Sequence, residues 1–293
     1  MSIAIYHVIT DQWGPYVDIR ACLKSRERRA NRTHVITPEQ FADLPLEARE
    51  NEDAFYIHWQ PERAPLSPRS TRGKHAAVYS EAYDDDASKM LPEHLAHLKA
   101  FWARRGEFDC VFAHTPKMAA RLGNAPHTPG FVLPIGWDAG AMGAPRWDTP
   151  KHNLIEFHGS IIGRREGAWL GDSNASGLYG RALLGYLDRS AISFYKAHSD
   201  VMSFSTWRLW QCASTSCVLA ADTVSTDSWP FVAGEHYIKL ESTTPFQELY
   251  ALAGQRDKLA EIALAAHELA REFTIDRIEK SYIVPAFEQL RAR

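Results

Sequence analysis

The sequence predicts an α/β protein made of two domains with parallel sheets, and three observations carry that expectation. Its 293 residues are enough for two domains of ordinary size. Short apolar runs alternate with amphipathic helical patterns along the chain, the signature of strand–helix–strand units. Between the halves, 138–151 is rich in Gly, Ala and Pro and lacks periodicity, which marks an interdomain linker. The expected domains are therefore 1–140 and 151–275, with the last stretch, 276–293, considered separately below.

In the first half, Ile3 to Ile9 is an apolar run that opens a sheet, and 17–32 reads as a helix with Ile19, Cys22 and Leu23 inward. Ala54 to Trp59 and Ala76 to Tyr79 read as strands. Pro92 to Arg105 is an amphipathic helix carrying Leu95, Leu98, Phe101 and Trp102 on one side. Cys110 to Ala113 is a strand, Pro116 to Leu122 a helix, and Phe131 to Pro134 a short strand leading into Gly136-Trp137-Asp138. The second half restarts with a strand from Asn153 to Phe157. After the segment discussed below, helices are expected at 245–254 and 257–272, with a terminal helix from Ile275 to Leu290 kinked near Pro285.

Composition narrows the function classes. A net charge of −3 gives no global signal for nucleic acid or an anionic membrane, and no apolar run approaches the length of a membrane span. The N-terminus lacks a basic region and reaches Asp11 too soon for a secretory signal. Cys22, Cys110, Cys212 and Cys217 show neither metal nor redox spacing, which fits a reducing cytoplasm. The thirteen histidines form no HExxH pattern.

The most informative stretch is 205–241. Ser205 and Thr206 suit a helix N-cap, Trp207 to Ala213 a short helix, Cys217 to Ala221 a buried strand ending at Asp222, and His236 to Leu240 a further strand. A helix N-terminus followed by a strand is a natural phosphate site, because free N–H groups and the helix dipole favour an anion.

The run Arg208-Leu209-Trp210-Gln211-Cys212-Ala213-Ser214-Thr215-Ser216-Cys217-Val218-Leu219 resembles the donor-binding segment of GT-B glycosyltransferases. Those enzymes usually show an Arg, an aromatic residue, a Glu, small residues, a Gly and then an apolar strand. Together with Pro230-Phe231 and the GEHYIKLE ending, the segment is most similar to exostosin-like and to bacterial and phage family-1-like enzymes. The segment ending FVLPIGWD before the linker resembles the end of the family's N-terminal domain. Two positions depart from the pattern: Gln211 stands where Glu usually holds the ribose, and Ser216 where Gly is usual.

The resemblance spans roughly 76–293. It implies two Rossmann-like domains facing each other across a cleft, a nucleotide-sugar donor on the second domain and an acceptor on the first. It also implies that 276–293 returns to pack on the N-terminal domain, with Ile278, Tyr282, Ile283, Phe287 and Leu290 available for that contact. Transfer of a hexosyl or pentosyl group to a hydroxyl is the implied activity, with a nucleoside-diphosphate sugar as co-substrate, no other cofactor and no obligatory metal.

On the donor side, Gly159 and Ser160 end the first strand of the second half, and Arg164, Arg165 and Arg208 are the candidate clamp for a diphosphate, with Gln211 toward the ribose. A solvated turn at Arg164-Arg165 is the plain alternative. Trp207, Trp210 and Trp229 suit either base stacking or the core. For a base that deprotonates the acceptor, the candidates in order are Glu81, Asp11 and His114, each after a strand. Asp84-Asp85-Asp86 reads as a solvated acidic turn.

Arg20 to Arg32 holds six cations against one acid, a local balance of +5, and Arg63 to Lys74 adds four more cations. Trp13, Arg28, Arg29, Arg69 and Arg72 are therefore candidate acceptor contacts, and the acceptor is left open among a glycan, a phosphorylated lipid and a nucleic acid. A DNA-modifying transferase acting on hydroxymethylated bases is one alternative, with Tyr16 and Trp59 as further aromatic surfaces, and a non-catalytic two-domain ligand-binding protein is another.

Overall fold

The computed structural model describes residues 3–10, 16–59, 61, 71–79, 92–123, 128–138, 145–148, 150–157, 168, 171–175, 177–196, 206–222, 228–241 and 246–293. They fall into two compact units. The first holds the described residues within Met1–Glu81, Pro92–Asp138 and Thr274–Arg293, and the second those within Ala139–Phe273.

The first unit runs β1 (Ala4–Val8), α1 (Tyr16–Arg29), β2 (Thr33–Ile36), α2 (Pro38–Ala42), α3 (Leu46–Arg49), β3 (Ala54–Trp59), β4 (Lys74–Tyr79), α4 (Pro92–Arg104), β5 (Cys110–Ala113), α5 (Pro116–Leu122) and β6 (Gly130–Val132). Its sheet has the order β2-β1-β3-β4-β5-β6 and every pairing is parallel. The central strands β3 and β5 are buried at every position, which is why they read as continuous apolar runs. Helix starts follow local chemistry. Thr37 and Gln40 form a capping box on α2, and Thr115 caps α5 with Pro116 next to it.

Register in this sheet is marked by a row of rings. Tyr6 pairs with His34 and with Tyr56, and Tyr56 pairs with His75. Their rings stack at centroid distances of 4.7, 4.9 and 4.9 Å across four strands. Phe41 of α2 meets Tyr56, His58 and His75 edge-on over the same face. Slipping any of these strands by one residue would turn its ring to the other face.

The second unit contains β7 (Asn153–Phe157), β8 (Ser173–Asn174), α6 (Gly180–Leu187), β9 (Ser190–Tyr195), α7 (Thr206–Ala213), β10 (Val218–Ala221), β11 (Ile238–Lys239), α8 (Phe246–Ala253) and α9 (Arg256–Arg271). Its sheet, β11-β10-β9-β7-β8, is also parallel throughout. Ile155, Ile192, Phe194, Val218, Ala220 and Leu240 meet Leu249, Leu252, Leu259 and Ile262 in one core. Helix α9 buries Leu259, Ile262, Ala263, Ala266, His267 and Ala270, the spacing of one helical face.

Trp147, from the stretch read as linker, packs against this core. The backbone N–H of Arg146 donates to Ser216 Oγ at 2.6 Å, and Ser216 Oγ donates to Asp188 Oδ1 at 2.7 Å. The far end of that stretch is thus part of the second unit, held by a buried hydroxyl that composition does not reveal.

The chain ends with α10 (Ile275–Ile278), a wide π turn (Glu279–Ile283) and α11 (Val284–Arg291), all in the first unit. The sequence predicts a kink near Pro285; the irregularity is the π turn just before it. Pro285 lacks an N–H and its ring crowds the carbonyl of Ser281, and widening the preceding turn relieves both problems. Phe287 is fully buried and lies 5.3 Å from the Phe55 ring.

Candidate functional site

In an open parallel sheet, ligands bind beyond the strand C-termini, where the strand order reverses. In the second unit that point lies between β7 and β9. Phe157 ends β7 and Tyr195 ends β9, and both are buried. The guanidinium of Arg208, in the first turn of α7, sits over both rings, with Cζ 5.4 Å from the Phe157 centroid and 5.0 Å from that of Tyr195. Arg208 is only 8% exposed, and its Nη1 is buried with no hydrogen-bond partner among the described residues.

A buried cation without full hydrogen bonding is costly. Burial pushes the pKa of Arg208 down from its ordinary value, opposed by the nearby Tyr195, Glu156 and Cys212. Glu156, fully buried on β7, is the carboxylate among these influences. The result is a planar, ring-walled cation at the strand ends with donor capacity in reserve.

Gln211 is three residues further along α7 and is also 8% exposed. Trp210 belongs to the core, edge-on to Phe231 and Phe273. Ser216, the other departure from the family pattern, is fully buried and used structurally through Asp188 and the Arg146 amide. Ser216→Gly, which restores the family's usual residue, is therefore expected to destabilise the protein by about 1–3 kcal/mol, because two polar partners lose their hydroxyl. Urea unfolding of the two proteins measures this, and equal midpoints would refute it.

In the first unit, His7, Trp59 and His114 lie at or just past the ends of β1, β3 and β5. Trp59 Nε1 donates to His7 Nδ1 at 3.3 Å, and the Trp59 and His114 rings are 6.3 Å apart. His114 Nδ1 is 2.8 Å from the Leu133 carbonyl, so Nδ1 carries the proton and the lone pair is on Nε2. Burial lowers the pKa of His114 to about 4, against a smaller opposite effect of that hydrogen bond. It is a neutral imidazole at pH 7, better suited to accepting a hydrogen bond than to driving a full proton abstraction.

Asp11, Trp13, Arg69, Glu81, Gly159, Ser160, Arg164 and Arg165 lie outside the described residues. Arg28 is exposed. Arg29 pairs with Asp138 and Asp276, and Arg72 with Glu50 and Glu52. Much of the positive balance counted along the sequence is thus met by carboxylates brought in by the fold. Among the described residues no group of three or more His, Cys, Asp or Glu side chains is placed to hold a metal ion.

No protein-family model matches the chain, and no curated protein matches it in sequence. Solved structures do match its fold. HepE of Anabaena in complex with UDP-glucose superimposes with a TM-score of 0.65 at 12% identity, covering 98% of this chain and all of that one. Sucrose-phosphate synthase of Thermosynechococcus elongatus gives 0.66 at 11% identity over 99% of both chains. The chain has the fold of the GT-B glycosyltransferases. A glycosyltransferase of Rickettsia africae shares this fold at a TM-score of 0.57 and 8% identity, over 99% of this chain and 98% of that one. Within that fold the sequence offers Arg208 as a candidate without the two rings beside it, Phe157 and Tyr195. Phe157 was visible only as the end of a strand. Tyr195 ends an apolar run, Ser190 to Tyr195, whose aromatic and β-branched content was the available signal.

Proposed function

We propose that this protein transfers a sugar from a nucleoside-diphosphate sugar to a hydroxyl acceptor, with the donor diphosphate held by Arg208. The observation that carries the reading is the buried guanidinium at the ends of β7 and β9, walled by Phe157 and Tyr195 and with Nη1 lacking a hydrogen-bond partner among the described residues. The likeness in fold to HepE, solved with UDP-glucose, makes a uridine nucleotide the first donor to try.

In the proposed reaction the bond between the anomeric carbon and the diphosphate oxygen breaks, and the diphosphate leaves with the electron pair. The acceptor oxygen forms the new bond and gives up its proton. Arg208 stabilises the charge gathering on the leaving group, where a fixed cation in a water-poor site is most effective. That role makes a divalent ion unnecessary, and transfer should persist in the presence of a chelator. In the same reading Gln211 faces the nucleoside, while His114 and the His7–Trp59 pair orient the acceptor. Arg164 and Arg165 extend the clamp, and Glu81 remains the first choice for the base, ahead of Asp11. With Arg29 and Arg72 engaged by carboxylates, the proposed acceptor is a glycan or lipid-borne hydroxyl rather than a nucleic acid.

The test is release of nucleoside diphosphate from UDP-glucose, and from GDP-, ADP- and dTDP-sugars, by the purified protein without acceptor. Slow enzyme-dependent release of one diphosphate supports transfer chemistry, since a receptor that merely binds does not turn its ligand over. Binding of a donor without any turnover, even with a panel of sugar acceptors, would favour the non-catalytic reading.

A further inference from the structure

The chain leaves the first unit after Asp138 and re-enters it at Thr274. Inside that unit the two points are neighbours. Trp137 forms a parallel bridge to Thr274, and the Ile275 amide donates to the Trp137 carbonyl at 3.0 Å. Gly136 makes the approach possible, because a Cβ there would come within 3.2 Å of Ile275 Cα and 2.7 Å of Ile278 Cδ1.

The last turn of α1 adds a set of charges. Arg29 Nη1 donates to Asp138 Oδ1 at 3.2 Å, and Arg29 Nη2 to Asp276 Oδ2 at 3.0 Å, so one guanidinium spans the outgoing and returning segments. Arg26 Nη1 is 2.7 Å from Asp276 Oδ1. Arg26 also grips Glu279 with Nε at 3.0 Å and Nη2 at 2.8 Å, and Thr33 Oγ1 donates to Glu279 Oε2 at 2.9 Å. Burial alone would raise the pKa of Glu279, but the Arg26 and Thr33 hydrogen bonds outweigh it and hold the carboxyl below its ordinary value.

An isolated exposed ion pair contributes little, whereas bidentate, partly buried pairs joined in a network contribute more. The side chains of Arg26 and Glu279 are 15% and 12% exposed, and those of Arg29 and Asp276 are 41% and 39% exposed. The inner arm is therefore sheltered and the outer arm open to screening by salt.

We propose that Arg26 and Arg29 form an electrostatic clamp inside the first unit that ties 136–138 to 274–279, so that the two segments are held and released together. The clamp is a positioning device, and it stands whether or not the protein transfers a sugar. Arg29 is its adjustable arm. Raising the ionic strength, or removing Arg29, breaks the link that Arg29 makes between Asp138 and Asp276, while the backbone bridge at Trp137 persists.

The experiment is amide hydrogen exchange of the full chain at low and at molar salt, comparing wild type with Arg29→Gln, Arg26→Gln and Gly136→Ala. The clamp predicts exchange at the Ile275 amide and across 136–138 about fivefold faster in Arg29→Gln, with unchanged protection in β3 and β4. It predicts the same rise in wild type on adding salt, no further salt effect in the double variant lacking both arginines, and a comparable rise in Gly136→Ala. Unchanged exchange at Ile275 in both arginine variants would overturn the proposal. So would an equal rise in β3 and β4, which would signal general destabilisation. No nucleotide or sugar enters the experiment, so its outcome is separate from that of the donor site.

Discussion

Replacing Arg208 with alanine is expected to weaken nucleoside-diphosphate binding at least about a hundredfold, and transfer with it. The estimate follows from a buried charge-assisted contact to a diphosphate, worth roughly 3 kcal/mol when one partner is deleted. Lysine should not rescue it, because a point charge cannot reproduce the planar fork seated between Phe157 and Tyr195. The same residue predicts an opposite effect on stability. Without ligand, Arg208 is a buried cation whose Nη1 has no partner among the described residues. Arg208→Met, which keeps the side-chain length and removes the charge, should leave the ligand-free thermal midpoint unchanged or raise it, while abolishing the rise produced by nucleotide. A variant that unfolds well below wild type would show that Arg208 serves the core rather than a ligand.

The second large effect is acid instability of the first unit. His7, His75 and His114 are buried and their pKa values are lowered to about 4, in each case chiefly by desolvation, and His58 is pushed well below its usual value for the same reason. His58 Nε2 lies 3.0 Å from His75 Nδ1, with Thr71 Oγ1 2.7 Å from His75 Nε2, so the pair shares hydrogen bonds only while neutral enough to do so. Nearby charges do not reverse this. Arg104 opposes protonation of His58, Asp109 favours that of His75, and Glu279 and Glu27 favour that of His7, all more weakly than burial.

In the unfolded chain these imidazoles titrate near 6.5, so between about pH 6.5 and pH 4 the unfolded state binds more protons than the folded state. Stability is therefore fully present above pH 6.5 and falls as pH drops toward 4, by up to roughly 3 kcal/mol for each of three groups. A total of that size is comparable to the whole stability of a domain, so the first unit should open near pH 5. Urea unfolding at a series of pH values, read beside the imidazole resonances by NMR, checks both halves. Stability that is flat from pH 7 to pH 5, or buried rings titrating near 6.5, would contradict the account.

How much of this was legible in the sequence depends on the range of the interaction. Ala54 to Trp59, Cys110 to Ala113 and Asn153 to Phe157 were found at their observed limits because a buried parallel strand is an uninterrupted apolar run between turn residues. Thr33–Ile36 is not legible because it is short and directly follows a helix whose sequence pattern runs on to Arg32, three residues beyond its observed end at Arg29. Gly180–Leu187 and Ser190–Tyr195 add an element pair that the sequence reading does not contain, and with it the ring of Tyr195. Arg208 stands out in the sequence only as a candidate, through the local run from Arg208 to Leu219. The fates of Arg26 and Arg29 were not, since a count of charges within α1 cannot include Asp138, Asp276 and Glu279, which only the fold brings near. Ser216 shows the same limit, because its partners Asp188 and Arg146 are remote in sequence.

The most direct test of the central claim is a calorimetric titration of the protein with UDP, GDP, ADP, dTDP and CMP, repeated with Arg208→Ala. The account predicts saturable one-site binding of a nucleoside diphosphate, weaker binding of the corresponding monophosphate, and loss of both in the variant. Binding of none of these nucleotides, or equal binding by Arg208→Ala, would contradict it.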